Sequence, residues 1–219
     1  MLRFLRPVIA RLTLPLGRAL ARIGISANVV TLVGTFGAVA AALGLLPLGE
    51  LYIGAVVVTV FVLFDMLDGA VARASGRESR WGAFLDSTLD RLTDAAVLCG
   101  LAVWFYTGGG DTLLGGLSLY CMATGFAVSY IKARAEGLGV NCDVGVAERS
   151  ERLIIALTAT GLGGLGVPYV LAGGLWLLAL LNTVTVAQRL IETRARLTEP
   201  GGSAGTGDRQ PAGGAGGQS

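Results

Sequence analysis

Histidine is absent from the 219-residue chain, and only 15% of its residues are charged. Without imidazole, proton transfer falls to a carboxylate or, less readily, to another group. Any metal site must rest mainly on oxygen ligands. Cysteine is scarce too. Cys99, Cys121 and Cys142 are odd in number and lack metal-ligand spacing, and two of them lie in apolar runs as small packing residues. This argues against a disulfide framework. Positive charge is missing from whole stretches: the segments around Glu50, Asp111 and Pro168 contain no Lys or Arg.

What the chain has instead is apolar surface. Hydrophobic residues make up 53% of it, and mean hydropathy is +0.67. A soluble domain of this length could not bury that much. The uncharged runs are Ile23–Gly49, Leu51–Phe64, Ala95–Gly110, Thr112–Ile131 and Leu153–Gln188. A hydrocarbon core about 30 Å thick takes about 20 helical residues. The last run is long enough for two spans, with Gly161–Gly166 and Pro168 offering a turn. The run ending at Phe64 reaches span length if its helix continues to about Ala74. The expectation is an all-α integral membrane protein with six transmembrane helices in a domain over residues 23–196.

All 17 basic residues fall before Ile23, between Arg73 and Arg91, between Lys132 and Arg152, between Arg189 and Arg196, or in the tail. Six spans put all five groups on one side. The positive-inside rule makes that side cytoplasmic, with both termini there, in a multi-pass protein of the cell membrane. Residues 1–22 place Arg11, Arg18 and Arg22 near one helical face and Leu12, Leu16 and Leu20 nearer another. An interfacial amphipathic segment meeting membrane lipids fits this pattern, and Pro7 and Pro15 argue against one straight helix. Ser26 or Asn28 could cap the first span. Residues 197–219, rich in Gly, Pro and Ala, read as a disordered tail. No nucleic acid partner is expected.

Chemistry concentrates where a membrane helix least tolerates it. Asp65 and Asp68 are three residues apart, and Asp86 and Asp90 are four apart, so each pair shares a helix face. Antiparallel packing of spans two and three would pool the four carboxylates. They repel one another and resist leaving water, and divalent cation is the obvious neutraliser. An oxygen cage for Mg²⁺ or Mn²⁺, expected to hold two ions, follows, and metal in turn attracts a diphosphate. A single such aspartate would read as an interface residue paired with Arg73, Arg77, Arg80 or Arg91. Four in two pairs, with Gly69 and Gly82 at the approaches, read as a site.

Asp65-x2-Asp68-Gly69-x2-Ala72-Arg73-x8-Gly82-x3-Asp86-x3-Asp90 resembles the complete motif of the CDP-alcohol phosphotransferases. The likeness extends from about Ser26 to Gln188, with six spans and an interfacial amino-terminal helix. It implies that Asp65, Asp68 and Asp86 bind metal, that Asp90 completes the cage, and that Asp90 is also the general base. It further implies a CDP-linked lipid donor held around Asn28, Thr31, Asp68, Gly69, Ala72, Arg73 and Gly82. Acceptor hydroxyl would attack the lipid-linked phosphorus and CMP would depart. A homodimer is expected by the same likeness.

A second, basic set bears on the acceptor. Lys132 and Arg134 end the fourth span, Arg149 and Arg152 open the fifth, and Arg189 lies near the end of the sixth. Guanidinium groups match phosphate oxygens. Anchoring to anionic lipid is the plainer reading of any one of them. Ser129-Tyr130-Ile131-Lys132-Ala133-Arg134-Ala135-Glu136 and Glu148-Arg149-Ser150-Glu151-Arg152-Leu153 resemble the branch of the family found as actinobacterial phosphatidylinositol phosphate synthases. So does Phe64-Asp65-Met66-Leu67-Asp68-Gly69-Ala70. That branch joins CDP-diacylglycerol to inositol 1-phosphate. The likeness makes Lys132, Arg152 and Arg189 the leading contacts to the acceptor phosphate, with Arg134 and Arg149 behind them. The alternatives are the same chemistry on glycerol 3-phosphate, and, more remotely, an Asp-rich prenyltransferase or a divalent-cation transporter.

Overall fold

The computed structural model describes residues 15–76 and 79–198. Arg11, Pro7 and the rest of the first 14 residues lie outside it, as do Arg77 and the tail from residue 199. Every regular element among the described residues is helical. In chain order these are α1 (residues 15–22), α2 (Ala27–Leu45), α3 (Leu51–Asp65), α4 (Leu67–Ser75), α5 (Arg80–Trp104), α6 (Thr112–Gly137), α7 (Arg149–Gly164) and α8 (Val170–Thr198). A 3₁₀ turn (Leu46–Leu48) extends α2, and a π-helical turn (Phe105–Gly109) extends α5.

Short polar side chains set the starts. Ser26, rather than Asn28, caps α2 by accepting from the Val29 N–H. The Ser79 hydroxyl caps α5 through the Gly82 N–H at 2.9 Å, and the Asp111 carboxylate caps α6 through the Leu114 N–H at 3.0 Å. A capping box opens α7, where Glu148 and Glu151 each take the other's backbone N–H. Such devices satisfy first-turn donors that have no partner within the helix. The expected turn near Gly161–Pro168 is present between α7 and α8.

Among the described residues, five helical segments are long and apolar enough to cross a membrane, and the chain is a multi-pass membrane protein. They are α2 with its 3₁₀ turn, α3 with α4, α5 with its π turn, α6 and α8. Helix α7 has only 16 residues. The packing pairs close a ring: α2 touches α3, α3 touches α7, α7 touches α8, α8 touches α6, α6 touches α5, and α5 returns to α2. Small residues permit close approach, as association in lipid requires. A Cβ at Gly100 of α5 would lie 2.6 Å from the Ala42 carbonyl oxygen of α2. The buried core runs from Ala38, Ala42 and Leu46 through Val97 and Leu101 to Leu175 and Leu178. Large apolar groups such as Phe36, Val60, Leu63 and Leu180 face outward.

The second span is not one continuous helix. It breaks at Met66, and α4 restarts at Leu67. Just past the break the Asp68 carboxylate accepts the Gly69 N–H. Helix α1 lies against this bend. Gly17 abuts Ala70, and Leu20 and Ala21 pack on the small cluster of Val30, Leu67 and Val71, while Arg18 and Arg22 are exposed.

Candidate active site

Three of the four motif aspartates converge. Carboxylate oxygens of Asp65, Asp68 and Asp86 lie within 4.8 Å of one another, contributed by the end of α3, the start of α4 and the first half of α5. Asp68 is fixed from α2, whose Thr31 hydroxyl donates to its Oδ2 at 2.7 Å. Asp65 Oδ1 is buried and has no hydrogen-bond partner. An orphaned acceptor of this kind costs about 1–3 kcal/mol or more, especially beside two like charges. The trio therefore fits a hard divalent cation, for which oxygen donors and negative charge are the natural complement.

Asp65 is where it is because α2 makes room. A Cβ added at Gly34 would stand 2.8 Å from the Asp65 Cβ and 3.1 Å from its Oδ1. The two glycines of the motif also sit at close approaches. A Cβ at Gly82 would meet Ser79 Oγ at 3.1 Å and Asn28 Oδ1 at 3.3 Å, and one at Gly69 would meet Arg73 Nη1 at 3.3 Å. Asn28, Thr31, Gly69 and Gly82 thus gather where α2, α4 and α5 meet. Ala72 is half-buried on α4, and Arg73 is exposed beside it.

Asp90 lies one helical turn beyond Asp86 on α5 and meets cations. Its Oδ1 meets Arg149 Nη1 of α7 at 2.7 Å, and its Oδ2 lies 3.9 Å from Arg91. Arg149 Nε also reaches both oxygens of Asp94 at 3.3 Å, and its Nη2 donates to the Asp90 carbonyl at 3.4 Å. Arg91 completes the group, pairing with Asp94 at 3.7 Å and donating to Ser129 of α6.

The remaining cations sit on protein acceptors further round the ring. Arg152 is buried; Nη1 donates to Asn182 Oδ1 at 3.3 Å, and Nε has no partner. Asn182 in turn donates to the Cys121 carbonyl at 3.0 Å and to Thr124 at 3.1 Å. Arg189 joins α8 to Val128 of α6 (2.5 Å) and to Val144 of the α6–α7 loop (3.0 Å). Lys132 meets Asp143 at 2.5 Å and Glu136 at 3.7 Å. The bond from Lys132, then one from Asn141, holds the Asp143 carboxyl below the usual carboxylate range. Arg134 is exposed at the end of α6. A cavity of about 40 Å³, enough for water, lies among Arg91, Asp94, Met122, Gly125, Arg152 and Asn182.

Gly34, Asp94 and Asn182 were not among the residues expected from the sequence. Asp94 continues the four-residue spacing of Asp86 and Asp90, and Asn182 is an amide within an uncharged run, so both left a faint signal. Gly34 left none.

The family model for CDP-alcohol phosphatidyltransferases matches residues 24–181. The chain belongs to this family. Among curated relatives of this phosphatidyltransferase, the phosphatidylinositol phosphate synthase of Mycobacteroides abscessus is 48% identical over 197 residues, covering 90% of this chain and 88% of that one. The synthase of the same name from Streptomyces avermitilis is 43% identical over 204 residues, covering 90% and 84%. Two crystal structures of the Mycobacterium tuberculosis phosphatidylinositol phosphate synthase share the fold at 47% identity. One, with CDP-DAG bound, gives a TM-score of 0.81 over 87% of this chain and 96% of that one. The other, with manganese and citrate, gives 0.80 over 86% and 90%.

Proposed function

We propose that this phosphatidyltransferase moves the phosphatidyl group of CDP-diacylglycerol onto inositol 1-phosphate, giving phosphatidylinositol phosphate and CMP. The observation that carries the reading is the trio of carboxylates with one buried, unpartnered oxygen, its Asp86 one helical turn from the Arg149-paired Asp90. The names of relatives at 43–48% identity over most of both chains support the donor and the acceptor.

Asp65, Asp68 and Asp86 would hold Mg²⁺ or Mn²⁺, as one ion or two. When bound, the metal spreads the charge of the diphosphate and favours departure of CMP. The protein's own residues do the rest. Asn28, Thr31, Gly69, Ala72, Arg73 and Gly82 would receive the CDP end of the lipid where α2, α4 and α5 meet, with the acyl chains left in the bilayer. Asp90 takes the proton of the acceptor hydroxyl as that oxygen bonds to the lipid-linked phosphorus. The bond from this phosphorus to the bridging oxygen breaks, and CMP carries that oxygen away. Lys132, Arg152 and Arg189, with Arg134 at the edge, would hold the acceptor's phosphate.

We further read α7 as a sixth span, since it closes the ring between α3 and α8 although it is only 16 residues long. The basic groups then share a cytoplasmic face in the cell membrane, residues 23–196 form the catalytic domain, and the functional unit is a homodimer. Purified protein supplied with CDP-diacylglycerol, Mg²⁺ or Mn²⁺ and a choice of acceptors tests the central reading. Metal-dependent CMP release is expected with inositol 1-phosphate and little with glycerol 3-phosphate. The reverse preference would overturn the acceptor, and no release with either would overturn the reaction.

A further inference from the structure

One short stretch of the α6–α7 loop answers two of the cations read above as holding the acceptor's phosphate. Lys132 Nζ meets Asp143 Oδ1 at 2.5 Å, and Arg189 Nε donates to the carbonyl of the next residue, Val144, at 3.0 Å. A carboxylate and a carbonyl thus present oxygens to the groups that would otherwise take phosphate oxygens. Glu136, on the same helix as Lys132, lies further from it at 3.7 Å.

The loop backbone is held on both sides of Asp143. Cys142 is fully buried, and the Thr193 hydroxyl of α8 donates to its Sγ at 3.5 Å. Gly145 sits at a φ of +147°, and a Cβ there would stand 2.8 Å from Thr185 Cγ2 of the same helix. The Asp143 side chain lies outside this packing. It is 64% exposed, and that of Lys132 is 38% exposed. Exposed ion pairs contribute little, so the carboxylate can rotate away while the loop stays in place. Charge decides what displaces it. A phosphate monoester carries a charge of about −1.5 to −2 near neutral pH, more than a carboxylate, whereas an uncharged alcohol offers only hydroxyls.

We propose that Asp143 is a specificity-determining residue whose carboxylate occupies Lys132 as an internal competitor, which the acceptor's phosphate displaces on binding. The competitor admits a dianion and disfavours acceptors without a phosphate, at some cost in affinity for the proper one. This rests on the transferase reading above, and on Lys132 as a phosphate contact.

The test uses the full-length protein with Asp143→Asn, Asp143→Ala, Lys132→Ala and the Lys132→Ala/Asp143→Asn double variant. Each is read for kcat, for both KM values, and for binding of inorganic phosphate by calorimetry without metal or lipid. Asp143→Asn and Asp143→Ala should each lower KM for inositol 1-phosphate about threefold and tighten phosphate to a similar degree. KM for CDP-diacylglycerol should stay as it is. Once Lys132 is replaced by alanine, Asp143→Asn should have no further effect, because the competitor has lost its seat. A purely structural loop residue would not improve binding when it is removed. A raised KM for inositol 1-phosphate in both Asp143 variants would make the carboxylate an acceptor ligand and overturn the proposal. So would unchanged values, or an equal gain with and without Lys132. Absence of CMP release from the wild type with every acceptor would remove the transferase reading. The phosphate measurement would then still judge Asp143, with unaltered or absent binding counting against it.

Discussion

The acidic and basic halves of the ring handle charge in opposite ways. On α3, α4 and α5 three carboxylates crowd together, and one buried oxygen has no partner at all. On α6, α7 and α8 the cations Lys132, Arg149, Arg152 and Arg189 all rest on protein acceptors. The first half is an incomplete electrostatic structure that a cation completes. The second is largely satisfied by protein acceptors, the buried Arg152 Nε excepted, and a phosphate must compete with or join existing bonds. Pre-positioned cations of this kind lose little entropy on binding, which favours selectivity for one acceptor geometry.

The comparison breaks most sharply at Asp90, the carboxylate that belongs to the acidic motif but is held by the basic half. Asp90→Asn keeps the shape and removes the base. Turnover, followed as CMP release, should fall about 1,000-fold while CDP-diacylglycerol still binds. Near-normal turnover would leave the base unassigned.

Next in size is the packing that seats Asp65. Gly34→Ala puts a methyl group 2.8 Å from the Asp65 Cβ. Either the carboxylate or α2 must shift. The Mn²⁺ concentration giving half-maximal activity should rise about tenfold, as for other changes that displace a ligand without removing it. An unchanged requirement would mean that α2 yields and Asp65 does not.

The basic half is probed by Asn182→Leu, which deletes the acceptor for Arg152 and the donors to Cys121 and Thr124. KM for inositol 1-phosphate should rise several-fold, by more than KM for CDP-diacylglycerol. Equal changes in both would show general loosening of α6 against α8. The smallest effect belongs to Ser79→Ala. It removes the cap of α5 and should cost about 1 kcal/mol of stability, read as a lowered Tm, with the site otherwise intact.

How much of this was legible in the chain follows the same division. The acidic motif occupies residues 65–90, and helical spacing alone pairs Asp65 with Asp68 and Asp86 with Asp90. Its convergence was expected from antiparallel packing of spans two and three, but the structure packs both α3 and α5 against α2, and the carboxylates meet although those two spans are not neighbours in the ring. The break at Met66 was not expected, because the sequence from Leu51 to about Ala74 reads as one continuous helix. Nor was the role of Gly34, which has no side chain to give a signal. The basic residues were visible as charges, but several of their partners lie 11 to 61 residues away in sequence. Only the fold shows that Arg149 meets Asp90 across 59 of them.

The most direct measurement is Mn²⁺ binding to the purified wild-type protein and to Asp65→Asn, read by calorimetry in the absence of lipid substrate. The account predicts saturable binding to the wild type and its loss in the variant, with CMP release lost in parallel. Equal Mn²⁺ binding by both proteins would contradict it, because the orphaned oxygen of Asp65 would then have nothing to hold.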